Sequence, residues 1–314
     1  MSTEKEKRKK YLLPLNGTGQ NGGRNMKLKK LTALFMVAVM GMTMITGCGS
    51  SDEGITKDTE ITVISREEGS GTRDAFVELF EITDADGNDI TVATAEQNSS
   101  TSVVITTVKD NPAAIGYISL GSLNDDIKAV KVDGVEATAE NVKNGTYKVS
   151  RPFNVAYKED SLSQVAADFM KYVLSTQGQA VVTAEGYIAI DVTDDYVSSN
   201  LSGTVKISGS TSVAPVMKVL AEEYEGLNPN VDVQVSEGGS SAGMTNAIEG
   251  VSDIGMASRA VKDSEIAKGL TSAQIAIDGI AVIVNENNEL GETLTSEQIK
   301  GIYKGEITKW SLED

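Results

Sequence analysis

At 314 residues, with 40% hydrophobic and 23% charged side chains, the chain is long enough for two compact lobes and has a globular composition. Its 45 Asp and Glu against 28 Lys and Arg argue against a nucleic-acid partner, whose phosphates demand a basic surface, but leave a small anion open, because dipoles aimed into a cleft escape surface screening. The chain has no histidine, the commonest general base and metal ligand, so neither a catalytic triad nor a zinc site is expected, and no cofactor.

Residues 1–25 are lysine-rich and without periodicity, and Met26 reads as the true start. Lys27, Lys29 and Lys30 precede the apolar run LTALFMVAVMGMTM, and Ile45-Thr46-Gly47 precede Cys48, the sole cysteine. The run is shorter than the roughly 20 residues of a spanning helix, so residues 1–47 read as a leader plus a bacterial lipoprotein signal peptide. Cleavage before Cys48 and lipidation of its thiol are expected to anchor the protein on the extracytoplasmic face of the membrane. Residues 48–60, polar and irregular, form the tether.

Ile61 to Phe76, ITVISREEGSGTRDAF, predicts a β-branched strand, a Gly-rich loop and a helix beginning near Thr72 with Ala75, Phe76 and Leu79 on one face. A helix N-terminus leaves backbone N–H groups unpaired at the positive end of its dipole, which suits an anion. Ser70 and Thr72 add hydroxyls, Gly71 permits close approach, and Arg66 supplies a planar charged fork; the same residues also suit an ordinary helix cap beside a surface ion pair. Downstream, NSSTSVVITTV leads to a strand at 115–119, and further strands are expected at 128–132 and 152–157. Ser161 and Gln164 read as a capping box for a helix bearing Val165, Phe169 and Tyr172, and TQGQAVVTAE as another helix, with a short strand at 187–190. Polar residues 191–203 read as a linker.

The grammar then repeats. Strand TVKIS, loop GSTS with Thr211 and Ser212, and a helix bearing Val216, Leu220, Tyr224 and Leu227 are followed by strand VDVQV, loop GGSSAG with Ser240, and another helix. Three hydroxyl-rich loops at strand-to-helix junctions suggest one shared anion site, because open α/β sheets bind ligands at the carboxyl ends of their strands. QIAIDGIAVIV, 274–284, is the longest apolar run and carries Asp278; Thr295 and Gln298 cap a last helix before Trp310. Gly239-Ser240-Ser241-Ala242-Gly243 fits the nucleophile elbow of α/β-hydrolases, but without a histidine base it predicts no hydrolase.

SREEGSGTRDAF, GSTSVAPVMK, EGGSSAG, DIGMASR, AIDGIAVIVN, LTSEQIKGIYKGEITKW and IGYISLG together resemble the phosphate-binding protein of bacterial ABC phosphate importers, over nearly all of residues 61–314. The resemblance implies an α/β, two-lobed periplasmic-binding-protein fold of type II that closes over inorganic phosphate and delivers it to membrane permease subunits, with no catalytic activity. In the family's usual order the GSTS segment comes first, so this chain reads as a circular permutation, with 191–203 joining the usual ends and the region of Asp314 meeting Ile61. One lobe is then expected from residues 61–120 plus 286–314 and the other from 121–285, hinged near Leu120-Gly121 and Asn285–Asn288. A self-contained monomer is expected, with a half-exchanged dimer as the alternative.

The resemblance also implies roles. Arg66, Ser70, the N–H of Gly71, Thr72, Thr211, the N–H of Ser212, Ser240 and Ser258 are expected to hold the anion, with Glu68 orienting Arg66. Where many relatives carry an aspartate that accepts the proton of phosphate, this chain has Arg259, and Asp278 is either its replacement or a structural carboxylate. Sulfate or molybdate binding, phosphate sensing, or a phosphatase on the same fold are the alternatives.

Overall fold

The computed structural model describes residues 54–312; the leader, Cys48 and Asp314 lie outside them. In chain order the elements are Thr62–Arg66 (β1), Gly71–Leu79 (α1), Glu96–Asn98 (β2), Thr101–Asp110 (α2), Ala114–Ser119 (β3), Ile127–Ala129 (β4), Lys131–Val132 (β5), Ala139–Lys143 (α3) and Ser150–Tyr157 (β6). Gln164–Val173 (α4) and Thr176–Ala184 (α5) precede the extended linker, after which come Gly203–Gly209 (β7), Ala214–Leu227 (α6), Val231–Glu237 (β8), Ser240–Glu249 (α7), Ile254–Ala257 (β9), Asp263–Ile266 (α8), Thr271–Asn285 (β10), Thr293–Leu294 (β11) and Ser296–Lys304 (α9). No helix among the described residues is long and apolar enough to cross a membrane.

Strand and helix starts follow local chemistry. Ser70 caps α1 by accepting the Arg73 N–H, and Ser100 caps α2 by accepting that of Val103. Thr295 and Gln298 form the expected reciprocal capping box. The box expected at Ser161 is absent: Ser163 caps α4, its oxygen accepting the Ala166 N–H, while Ser161 sits in a 3₁₀ turn. In α1, Leu79 is exposed and Val77 and Phe80 are buried with Phe76, because the helix ends at Leu79 and its last turn rolls off the predicted face. Residues 187–190 make only one antiparallel bridge, Ile188 to Ile277, rather than a strand.

The main sheet runs β2-β1-β3-β10-β6-β9-β7-β8, with β4 also on β10. Its 15-residue strand β10 serves two packing regions: residues 280–284 pair with β3, and residues 271–279 pair with β6. Two large apolar cores lie on either side of this crossing. One gathers Ile64, Phe76, Tyr117, Tyr147, Val149, Ile280, Tyr303 and Trp310; the other gathers Phe153, Phe169, Ile207, Leu220, Tyr224, Met256 and Ile275. The division therefore falls near residues 149–153 and 276–280, not at Leu120-Gly121 and Asn285–Asn288. The reason is that Ile127, Val130, Val142 and Tyr147 bury against the first core. Trp310 sits inside that first core, donating its indole N–H to the Ala113 carbonyl.

The start and end of the described fold meet, as expected. Ile61 donates its N–H to Thr308 at 2.8 Å, Trp310 donates to Thr59 at 3.0 Å, and Glu60 bridges Lys309. The linker is pinned to the second core through buried Asp168, whose carboxylate accepts the hydroxyls of Tyr196, Ser199 and Tyr224 at 2.6, 2.7 and 2.9 Å. Burial pushes the Asp168 pKa up, but the three hydroxyl donors outweigh it and hold the group below its usual range.

Candidate functional site

β1, β2, β7 and β8 each hand over, at their carboxyl ends, to the start of a helix, and those four starts converge. α1 and α2 pack on the first core and α6 on the second, while α7 packs through Met244 and Ala247 on a small third cluster with Ala156, Ala257 and Leu270, beside β6 and β9 of the second. The hydroxyls gathered there are buried: Thr72, Thr101, Thr211, Ser212, Ser240 and Ser258 are all at most 5% exposed. Thr72 and Ser212 hydrogen-bond at 2.9 Å; Thr101 lies 3.3 Å from Ser212 and 3.4 Å from Thr211. The Ser240 oxygen accepts the Ser258 N–H at 3.1 Å, and its hydroxyl lies 3.4 Å from that of Ser258.

Arg66, 1% exposed, supplies the positive charge. Its Nη2 donates to Thr211 Oγ1 at 3.0 Å, and its Nε to the Asn98 carbonyl at 3.2 Å. Glu67, not Glu68, grips the fork: Nε and Nη2 donate to its two oxygens at 2.7 and 2.8 Å, while Glu68 faces solvent. The pair is one residue apart because β1 ends at Arg66 and the turn swings Glu67 back beside the guanidinium. Behind it, the Tyr117 hydroxyl accepts the Arg66 backbone N–H at 3.1 Å and bonds the Ser65 hydroxyl at 3.0 Å. The Tyr117 ring stacks on Phe76 of α1, so strand and helix are locked together beneath the loop.

Gly71 is required by proximity. A Cβ there would collide with the Ser240 hydroxyl of the other core. Ser70 spends its oxygen on the α1 cap, which leaves its hydroxyl hydrogen for another acceptor.

Asp278 and Arg259 spend their charges on other side chains rather than on the hydroxyls of this cluster. Asp278 pairs across the β6–β10 ladder with Arg151 at 3.2 Å, at the crossing between the cores. Burial raises the Asp278 pKa to about 6, against the pull of Arg151, and burial lowers that of Arg151 to about 10. Arg259 turns its guanidinium to Glu265 at 2.8 Å and Asp74 at 3.0 Å. Thr101 and the α2 start were not anticipated, and Glu67 only as one of two possible surface partners of Arg66. The run Ser99-Ser100-Thr101 ahead of VVITTV carried the same hydroxyl grammar, but the three-residue polar strand before it, EQN, gives no β signal.

The arrangement offers four helix N-termini, at least six hydroxyls and one oriented guanidinium, all donors. Such a set binds a compact oxyanion with several acceptor oxygens. Among the described residues no cluster of three or more His, Cys, Asp or Glu side chains is placed to hold a metal.

Residues 50–177 and 196–314 match the family model of the PBP superfamily domain. The chain is 45% identical over 289 residues to the phosphate-binding protein PstS 2 of Streptococcus agalactiae serotype V, covering 91% of this chain and 98% of that protein. It is 41% identical over 291 residues to PstS 2 of Streptococcus pneumoniae serotype 4, again over 91% of this chain and 99% of the relative. A solved phosphate-binding protein of a phosphate ABC transporter from Streptococcus pneumoniae superposes with a TM-score of 0.64 at 42% identity, covering 80% of this chain and 98% of that one. The alignments span these relatives almost end to end, so they share the segment order of this chain. The chain belongs to the PBP superfamily and, within it, to the PstS family of phosphate-binding proteins.

Proposed function

We propose that this protein captures inorganic phosphate outside the cytoplasm and passes it to the permease subunits of an ABC importer, performing no chemistry of its own. The observation that carries this reading is the meeting of Arg66 with Thr211 and of Thr72 with Ser212, each a contact between the two cores. An anion held there touches both bodies at once. Arg66, Ser70, Gly71, Thr72, Thr101, Thr211, Ser212, Ser240 and Ser258 are its proposed donors, and the crossing at Ser150–Pro152 and Ile277–Gly279 is the proposed hinge.

The chain is proposed to act as a monomer anchored through a lipidated Cys48. Relative to the order with the GSTS segment first, its segments are circularly permuted. The adjacency of Ile61 and Thr308 supports this, because permutation is tolerated where ends lie together.

Calorimetric titration of ligand-stripped protein with phosphate and with sulfate tests the function. Saturable one-to-one heat with phosphate is expected; no heat with phosphate refutes it, and heat with sulfate alone moves the assignment to another tetrahedral oxyanion.

A further inference from the structure

Next to the hydroxyl cluster, the two cores are also joined by charge. Asp74, in the first turns of α1 on the first core, reaches Arg259 at 3.0 Å and Lys262 at 3.1 Å, both on the segment after β9 in the second core. Arg259 is 6% exposed on its side chain and is already fixed within its own core, its Nη1 and Nη2 donating to the two Glu265 oxygens at 2.9 and 2.8 Å. Its Nη2 also lies 3.4 Å from the Ser241 hydroxyl, and the Ser241 N–H crosses to the Gly69 carbonyl at 3.1 Å. This group therefore abuts the anion donors Ser70 and Ser240 in sequence and in space.

The geometry points to Asp74 as a positioning residue for anion retention: an ionic latch that joins the cores only when they are together. Three physical points carry it. The Arg259 fork is oriented by Glu265 whether or not Asp74 is near, so little side-chain freedom is lost when the latch forms. Separating the cores breaks both contacts of Asp74 and leaves the Arg259–Glu265 pair intact. With the cores apart, the Asp74 carboxylate stands unpaired on the helix whose start faces the anion and opposes its stay there; with the cores together, two cations cover it. The latch thus acts on escape of the anion rather than on its capture.

The inference rests on the anion-site reading above. Its test is the release of radiolabelled phosphate from the full chain after dilution into excess unlabelled phosphate, alongside the association rate. Asp74→Asn is expected to raise the release rate about five- to twentyfold with the association rate held within about twofold, and the ratio to wild type is expected to shrink in high salt. Asp74→Glu is expected to restore slow release. An unchanged release rate in Asp74→Asn, or a loss confined to the association rate, overturns the latch. A wild-type protein that retains no phosphate refutes the site itself, which is a different result. Should Asp74→Asn melt well below wild type, the exposed Lys262→Gln carries the test, with a rise of about two- to fivefold expected and no rise refuting.

Discussion

The Arg66 guanidinium and the Thr211 hydroxyl meet at 3.0 Å although 145 residues separate them in the chain. The contact joins the carboxyl end of β1 in one core to the loop before α6 in the other. Replacing Arg66 by lysine keeps the charge but loses the fork that serves Glu67, Asn98 and Thr211 together. Phosphate affinity is expected to fall about 10- to 100-fold by calorimetry, with thermal stability little changed.

Glu67 and Glu68 are neighbours with opposite expected behaviour. Glu67→Gln removes the charge that holds the guanidinium in plane and is expected to weaken phosphate binding about three- to tenfold. Glu68→Gln, at an exposed position, is expected to leave affinity unchanged. Equal effects from the two variants would show that the grip seen here is not the one that matters.

Gly71→Ala tests whether the two cores must approach as closely as they do. The added methyl points at the Ser240 hydroxyl, so closure over the anion is expected to be blocked while each core stays folded. Binding heat lost with a melting temperature within a few degrees of wild type is the expected result.

Asp168→Ala deprives three hydroxyls of their shared acceptor. A loss of about 2–4 kcal/mol is expected, read as a drop of roughly 5–10 °C in melting temperature. Limited proteolysis is expected to cut first within residues 191–202, because Tyr196 and Ser199 hold that segment down.

Burial raises Asp278 from 3.8 to about 6, so between those values the folded chain holds a proton that the unfolded chain has released. The stability this group contributes is therefore full below its unfolded value and is lost as pH rises through about 6. Denaturation curves at pH 4.5 and 7 are expected to show wild type losing stability relative to Asp278→Asn over that interval. Parallel behaviour of the two proteins would contradict the assignment.

Much of this was legible in the residues. β-branched runs ending in Ser, Gly and Thr marked β1 with α1, β7 with α6 and β8 with α7, because strand propensity and helix-cap chemistry are both local. The α2 start was missed since β2 exists only by pairing with β1 along Ile64 to Arg66, a nonlocal cause that EQN does not advertise. The lobe division was misjudged for the same kind of reason. Residues 127–149 look neutral in sequence and are assigned by which apolar face they find, through Ile127, Val142 and Tyr147. Likewise, Asp278 was readable as buried but not as the partner of Arg151, which is 127 residues away.

Because Ile55 packs on the first core and Glu60 pairs with Lys309, both ends of the described residues lie on the same body. Whatever moors the protein at either end moors that body alone. An optical label intended to report the proposed closure belongs on the second core, for instance at the exposed Val251, with its counterpart on the first core near Val103.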